Sequence, residues 1–175
     1  ESINIPDCCT RINEITFFNC KSLKSISLPS HLLRMDQSAF AGCGIEKIII
    51  PGSVSEIGYY AFSGSKLKYV EIENGVKSIA SGAFYGCEDL IEVSIPESVT
   101  SIEYDSFDEC KMLQAINVSE NNTAYTLENG VLMNKNKTSI KVYPSRKKES
   151  TYTIGNSISY VRASLFKYCS NLQAF

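Results

Sequence analysis

The residues of this 175-residue chain that carry chemistry are seven cysteines, one histidine and two short clusters of charge. A zinc site or a thioredoxin-type centre needs thiolates in C-x-x-C pairs, and no two of these cysteines are so spaced. Cys8-Cys9 is the single adjacent pair. His31 follows Pro29-Ser30 on a turn, and a nucleophilic relay requires a nucleophile and an orienting carboxylate beside it, which the neighbouring sequence does not supply. Asp105, Asp108 and Glu109, close to Tyr104, offer oxygens to a hard cation. They lack the D-x-D-x-D-G spacing that wraps calcium, so a solvated turn is expected there. Arg146, Lys147 and Lys148 have the charge to meet phosphate or a sulfated sugar, and are expected to stay hydrated. Asn117, Asn121 and Asn136 begin N-x-S/T triplets, acceptors only where the source glycosylates secreted proteins. Nothing here calls for a metal or a cofactor, and no enzyme is expected.

Charge and hydropathy narrow the partners. Lys plus Arg is 17 against 19 for Asp plus Glu, a net charge of −2, which provides no field for nucleic acid or an anionic membrane. No apolar run approaches the roughly 18 residues that a membrane-spanning helix needs. The length suits one domain.

The elements that position these residues emerge from a repeat. Cys20, Cys43, Ser65, Cys87 and Cys110 fall 23, 22, 22 and 23 residues apart. After each comes a short alternating stretch: Leu23, Ile26, Leu28; Ile45, Ile48, Ile50; Leu67, Val70, Ile72; Leu90, Val93, Ile95; Leu113, Ile116, Val118. Alternation of period two is a strand with one buried face. Pro6, Pro29, Pro51 and Pro96 end the stretches, having no N–H for a ladder. A second apolar trio follows at spacings of 3 and 5: Leu32, Met35, Phe40; Val54, Ile57, Phe62; Val76, Ile79, Phe84; Val99, Ile102, Phe107. Cys9, Ile12 and Phe17 open the series and Ile158, Val161 and Phe166 are expected to continue it. A unit this short cannot bury its own apolar face, so neighbours must stack around a shared core. The cysteine column then marks an inward corner that suits a small side chain. Stacked coils lie about 4.8 Å apart, within disulfide reach for Cys20 with Cys43 or Cys87 with Cys110; a column of reduced, buried thiols is the expectation.

The count breaks after Val118, because Cys110 and Cys169 are 59 residues apart. Residues 119–157 hold an insertion within one unit. Asn129-Gly130 tolerates positive φ at both positions and signals a hairpin-type turn. Two strands are expected, 131–133 and 140–143, joined around 134–138, in a hairpin that projects from or extends the coil. Both ends of the sequence fall inside a unit, which reads as part of a longer array.

The phrases "CKSLKSISLPSHLLRMDQSAF", "GIEKIIIPGSVSEIGYYAFSG" and "CEDLIEVSIPESVTSIEYDSF" closely resemble the BspA-like leucine-rich repeat, C-x-x-L-x-x-I-x-I-P-x-x-V-x-x-I-x-x-x-A-F. The stretch from Tyr125 to Pro144 is similar to a hairpin that interrupts arrays of that family. Ser65 in place of Cys and Asn74-Gly75 in place of the Pro turn depart from the pattern. The resemblance implies a repeat solenoid: a leucine-rich repeat arc with a parallel β-sheet, mostly β and irregular turns, interrupted by one β-hairpin. It further implies a single domain over residues 1–175, cell-surface or secreted, adhering to host extracellular matrix or cell-surface protein, or to glycan. A monomer is favoured.

On the strands, alternate side chains face solvent in two columns. One is Ser25, Lys47, Tyr69, Glu92, Ala115; the other is Asn4, Ser27, Ile49, Glu71, Ser94, Asn117. Tyr69 and Ile49, flanked by Lys47, Glu71 and Glu92, are the candidate partner-binding residues, Tyr69 being the first anchor because exposed aromatics dominate interface energetics. A spacer that carries a binding domain elsewhere is the alternative function. A parallel β-helix enzyme of similar period is a third, disfavoured because the columns gather no recurring carboxylate or basic cluster.

Overall fold

A computed structural model describes residues 2–173 as a stack of coils, a parallel β-solenoid with no helix among them. Each full coil contributes one long strand, one two-residue strand and a tight arc of turns. The long strands are β1 (Ser2–Asn4), β3 (Ser25–Ser27), β5 (Lys47–Ile50), β7 (Tyr69–Ile72), β9 (Glu92–Ile95) and β11 (Ala115–Val118). The short ones are β2 (Arg11–Ile12), β4 (Arg34–Met35), β6 (Glu56–Ile57), β8 (Ser78–Ile79) and β10 (Ser101–Ile102). The short strands form one parallel five-stranded sheet in the order β10-β8-β6-β4-β2, a ladder that the apolar trios alone did not announce. The long strands form two parallel sheets, β11-β9-β7-β5 and β1-β3.

The registers explain the sequence period. Ile48 lies opposite Val70, and Val70 opposite Val93, so each buried position meets its counterpart one coil away. In the arcs Phe17, Phe40, Phe62, Phe84 and Phe107 stack, adjacent ring centroids being 5.1 to 5.5 Å apart. Beneath the rings the backbone runs a further ladder: Phe40 N–H donates to Ala61 C=O at 2.7 Å and Phe62 N–H to Ala83 C=O at 2.8 Å. Turning so sharply needs left-handed residues, and Asn19, Gly42, Gly64, Gly86 and Glu109 form a column of them, each at positive φ.

The cysteine column lies at the inward corner. Cys43, Cys87 and Cys110 are buried, and each thiol donates to the carbonyl of Phe17, Phe62 or Phe84 respectively, at 2.9 to 3.3 Å. All seven cysteines are free thiols. Burial pushes Cys43 up to about 11 and Cys87 up to about 12, the values of a protonated, inert thiol.

The insertion adds β12 (Tyr125–Glu128), β13 (Val131–Asn134) and β14 (Ile140–Val142) in an antiparallel sheet ordered β12-β13-β14. Asn129-Gly130 joins β12 to β13 with both residues at positive φ, so the turn signal has a strand on each side and β12 is an addition to the two strands expected. This sheet is sandwiched. Leu132 and Val142 belong to the core of the coils, whereas Val131, Met133, Ile140 and Tyr143 build a second core with Leu165 and Cys169. Asn122 and Tyr125 take over the bonds that a further coil would have made. The Asn122 amide donates to Pro96 C=O and Val99 C=O, and Ile102 N–H donates to the Tyr125 hydroxyl at 2.8 Å.

Beyond the insertion the expected trio is corrected. Val161 is 41% exposed, while Leu165 is buried and Phe166 packs edge-on against Tyr143. With the sheet β12-β13-β14 beneath it in place of a regular coil, this segment follows the face of that sheet and not the column of phenylalanines.

The candidate binding surface on the strand face

The strand face is built by alternation. In β5 the side chains run exposed, buried, exposed, buried, and β7 repeats the pattern. Lys47 and Ile49 therefore point outward, as do Tyr69 and Glu71. The parallel register sets Lys47 beside Tyr69 and Ile49 beside Glu71, so Ile49 and Tyr69 are diagonal neighbours. Each is 44% exposed. Glu92 lies beside Tyr69, but its carboxylate accepts a bond from the Asn117 amide at 2.5 Å, which draws it along the sheet toward β11. Of the five candidates, four thus share one patch and Glu92 forms its margin.

Two features of this face were not visible in the repeat pattern. Between β3 and β5 the parallel ladder is interrupted; among the described residues Glu46 N–H to Lys24 C=O, at 3.4 Å, joins their approaches. The gap is a cleft of about 500 Å³, in which Ile49 and Lys47 face Ser25, Ser27 and Leu28. A proline signal was present, since Pro51 cannot donate to the coil below, yet Pro96 occupies the same position next to a paired strand, so proline alone does not foretell a gap. The second feature is the far boundary. Arg146 N–H donates to Leu113 C=O, bringing the basic loop to the end of β11 beside Asn117. Lys147 there pairs with Glu149, which holds that carboxyl below the usual range, and Lys148 stays exposed.

The remaining chemical candidates do not assemble. His31 is exposed, its Nδ1 3.1 Å from the Ser30 hydroxyl, with no carboxylate against it among the described residues. No group of His, Cys, Asp or Glu able to hold a metal ion occurs among those residues. The acidic turn is not merely solvated, as expected from its sequence: Asp108 accepts both Arg162 guanidinium nitrogens at 2.7 and 2.9 Å, and Glu109 accepts Lys167 at 2.5 Å. Those carboxylates clasp the segment that follows the insertion. Asn117, Asn121 and Asn136 are all exposed.

Coils with this register, corner and arc match the BspA type leucine rich repeat region in six copies, over residues 1–114 and 34–148. The chain belongs to that family. A comparison with curated proteins gives no match. Among solved structures, this BspA-type chain is similar to the pneumococcal vaccine antigen PcpA, with 26% identity and a TM-score of 0.82 over 94% of its length. It is also similar to a leucine-rich repeat protein from Eubacterium ventriosum, with 29% identity and a TM-score of 0.64 over 95%. A leucine rich cell surface protein from Faecalibacterium prausnitzii shares the fold, with a TM-score of 0.73 at 23% identity over 98%. The BspA-type chain spans 42%, 38% and 53% of those three chains respectively. No helix among its described residues is long and apolar enough to cross a membrane.

Proposed function

We propose that the chain is a cell-surface or secreted binding module that adheres to host or neighbour-cell protein through its strand face, with residues 1–175 acting as one repeat domain and residues 119–157 as an insertion in it. One observation carries the reading: Ile49 and Tyr69, both exposed, sit diagonally on adjacent strands, flanked by Lys47 and Glu71 and next to a cleft. An aromatic and a branched aliphatic anchor on a rigid sheet lose little conformational entropy when covered, and such residues carry most of the energy in protein interfaces. Lys47 and Glu71 make no ion pair among the described residues, which leaves both charges for the rim of a partner. The similarity to a pneumococcal vaccine antigen at 26% identity supports surface display.

The test is capture of purified extracellular-matrix proteins and whole host cells by the native chain beside a Tyr69→Ala, Ile49→Ser, Glu71→Lys variant of unchanged melting temperature. Binding by the native chain and its loss in the variant is expected. Equal capture by both moves the site to the hairpin or basic loop; capture by neither leaves the chain as a spacer.

A further inference from the structure

A second recess lies at the corner that leads into the long strands, and its origin is a difference in corner length. Lys21 and Ser22 separate Cys20 from the buried Leu23, and Glu88 and Asp89 separate Cys87 from Leu90. In the two coils between, Gly44 alone separates Cys43 from Ile45, and Lys66 alone separates Ser65 from Leu67. The shortened corners draw inward. At Gly44 a Cβ would stand 2.0 Å from Lys21 C=O, so that backbone-to-backbone contact admits glycine only. The arc of the same coil is small as well, with Ser38 and Ala41 where the preceding coil has Ile15 and Phe18. The result is a depression of about 690 Å³, floored by Ala41, Gly42 and Gly44 and walled by Phe18 and Asn19 on one side and Tyr60 on the other.

Its chemistry is selective. Lys21, Lys24 and Lys66 line it and no carboxylate does. Lys66 pairs with Asp89 at 3.2 Å in solvent, and Glu46, the acid near Lys24, is held by Lys68 at 2.8 Å. Lys21 and Lys24 make no ion pair among the described residues. Phe18 and Tyr60 are 52% and 41% exposed. The glycine amides are already used, Gly42 N–H donating to Ser63 C=O and Gly44 N–H to Cys20 C=O, so the floor offers no amide cradle for a phosphate. What remains is side-chain ammonium groups spaced around aromatic faces. The negative face of a ring attracts the polarised C–H groups on the flat side of a pyranose, the carboxamide of Asn19 has donors and an acceptor for hydroxyls, and the ammonium groups attract carboxylate or sulfate. A volume of that order is that of a small-ligand cleft.

We propose that this depression binds an anionic saccharide, sulfated or carboxylated, independently of the strand face. The experiment is a calorimetric titration of the full chain with a heparin-derived tetrasaccharide, with sialyllactose, with lactose, and with an acidic peptide and ADP as unrelated anions. At least one charged saccharide is expected to bind, and to bind about tenfold or more tightly than lactose, the peptide or ADP; which of the two binds better separates the sulfated from the carboxylated source. Lys21→Ala with Lys24→Ala, and separately Tyr60→Ala, should each weaken binding about fivefold or more, whereas Tyr69→Ala should leave it unchanged. Ser63→Phe, which puts a ring into the recess at one of its lining positions, should block binding even if Tyr60→Ala disturbs the arc. Equal affinity for lactose, tighter binding of the peptide or ADP, no binding of either charged saccharide, or indifference to Ser63→Phe would overturn the proposal.

Discussion

At the residue scale the corner thiols show how position sets chemistry. Cys43, Cys87 and Cys110 are desolvated and bonded to arc carbonyls, and burial pushes Cys43 to about 11, Cys87 to about 12 and Cys110 well above its ordinary value. Cys8, by contrast, is exposed. A thiol-specific reagent at pH 8 should therefore modify Cys8 in the folded chain at once and Cys43, Cys87 and Cys110 only after denaturant is added. Folding favours the protonated corner thiols, so their contribution to stability is complete below the ordinary thiol value of 9.0 and is lost as pH rises toward 11 to 12. A melting temperature that falls through that window is the expected result; a flat profile, or rapid labelling of Cys87 in the native state, would contradict the buried column. The same scale explains Ser65, whose hydroxyl lies 3.4 Å from the Cys87 sulfur and replaces a thiol without breaking the corner.

At the scale of elements, the insertion is a cap and a platform together. Asn122 and Tyr125 satisfy the last regular coil, and Arg162 and Lys167 reach back 54 and 58 residues to Asp108 and Glu109. Arg162 and Asp108 are both largely shielded, with 13% and 17% side-chain exposure, so removing one partner of a bidentate pair should cost about 2 kcal/mol. Arg162→Ala is predicted to speed hydrogen exchange in residues 158–172 while leaving β7 and β9 as protected as before; uniform loosening of the whole stack would contradict a local clasp. These elements also show what the sequence made legible. The buried faces of β3, β5, β7, β9 and β11, the phenylalanine column and the outward columns with Ile49 and Tyr69 all follow from a period of 22 or 23 with alternation inside it, whereas Ile3 in β1 is exposed. The clasp did not, because Asp108 and Arg162 are paired by the path of an irregular insertion, and no local period connects them. Nor did the β3–β5 gap, since the strands on both sides keep the consensus pattern.

At the scale of the whole molecule, stacking makes a rigid surface whose side chains are set coil by coil. One core supports the regular coils and a second supports the segment after the insertion, so outward positions on the strand face vary without cost to the fold. That separation would let the proposed anchors Lys47, Ile49, Tyr69 and Glu71 be set for a partner while the buried columns stay fixed. Other exposed aromatics, Tyr59 at 54% and Tyr104 at 53%, lie on the arcs and serve as internal references. The decisive measurement is hydroxyl-radical footprinting of the chain with and without an extracellular-matrix or cell-surface protein of the kind the proposed function requires it to capture. Protection of Tyr69 and Ile49 on binding, with Tyr59 and Tyr104 oxidised as in the free chain, is the predicted result. Unchanged oxidation of Tyr69 and Ile49, with protection on the arcs or the insertion, would contradict a strand-face binding surface.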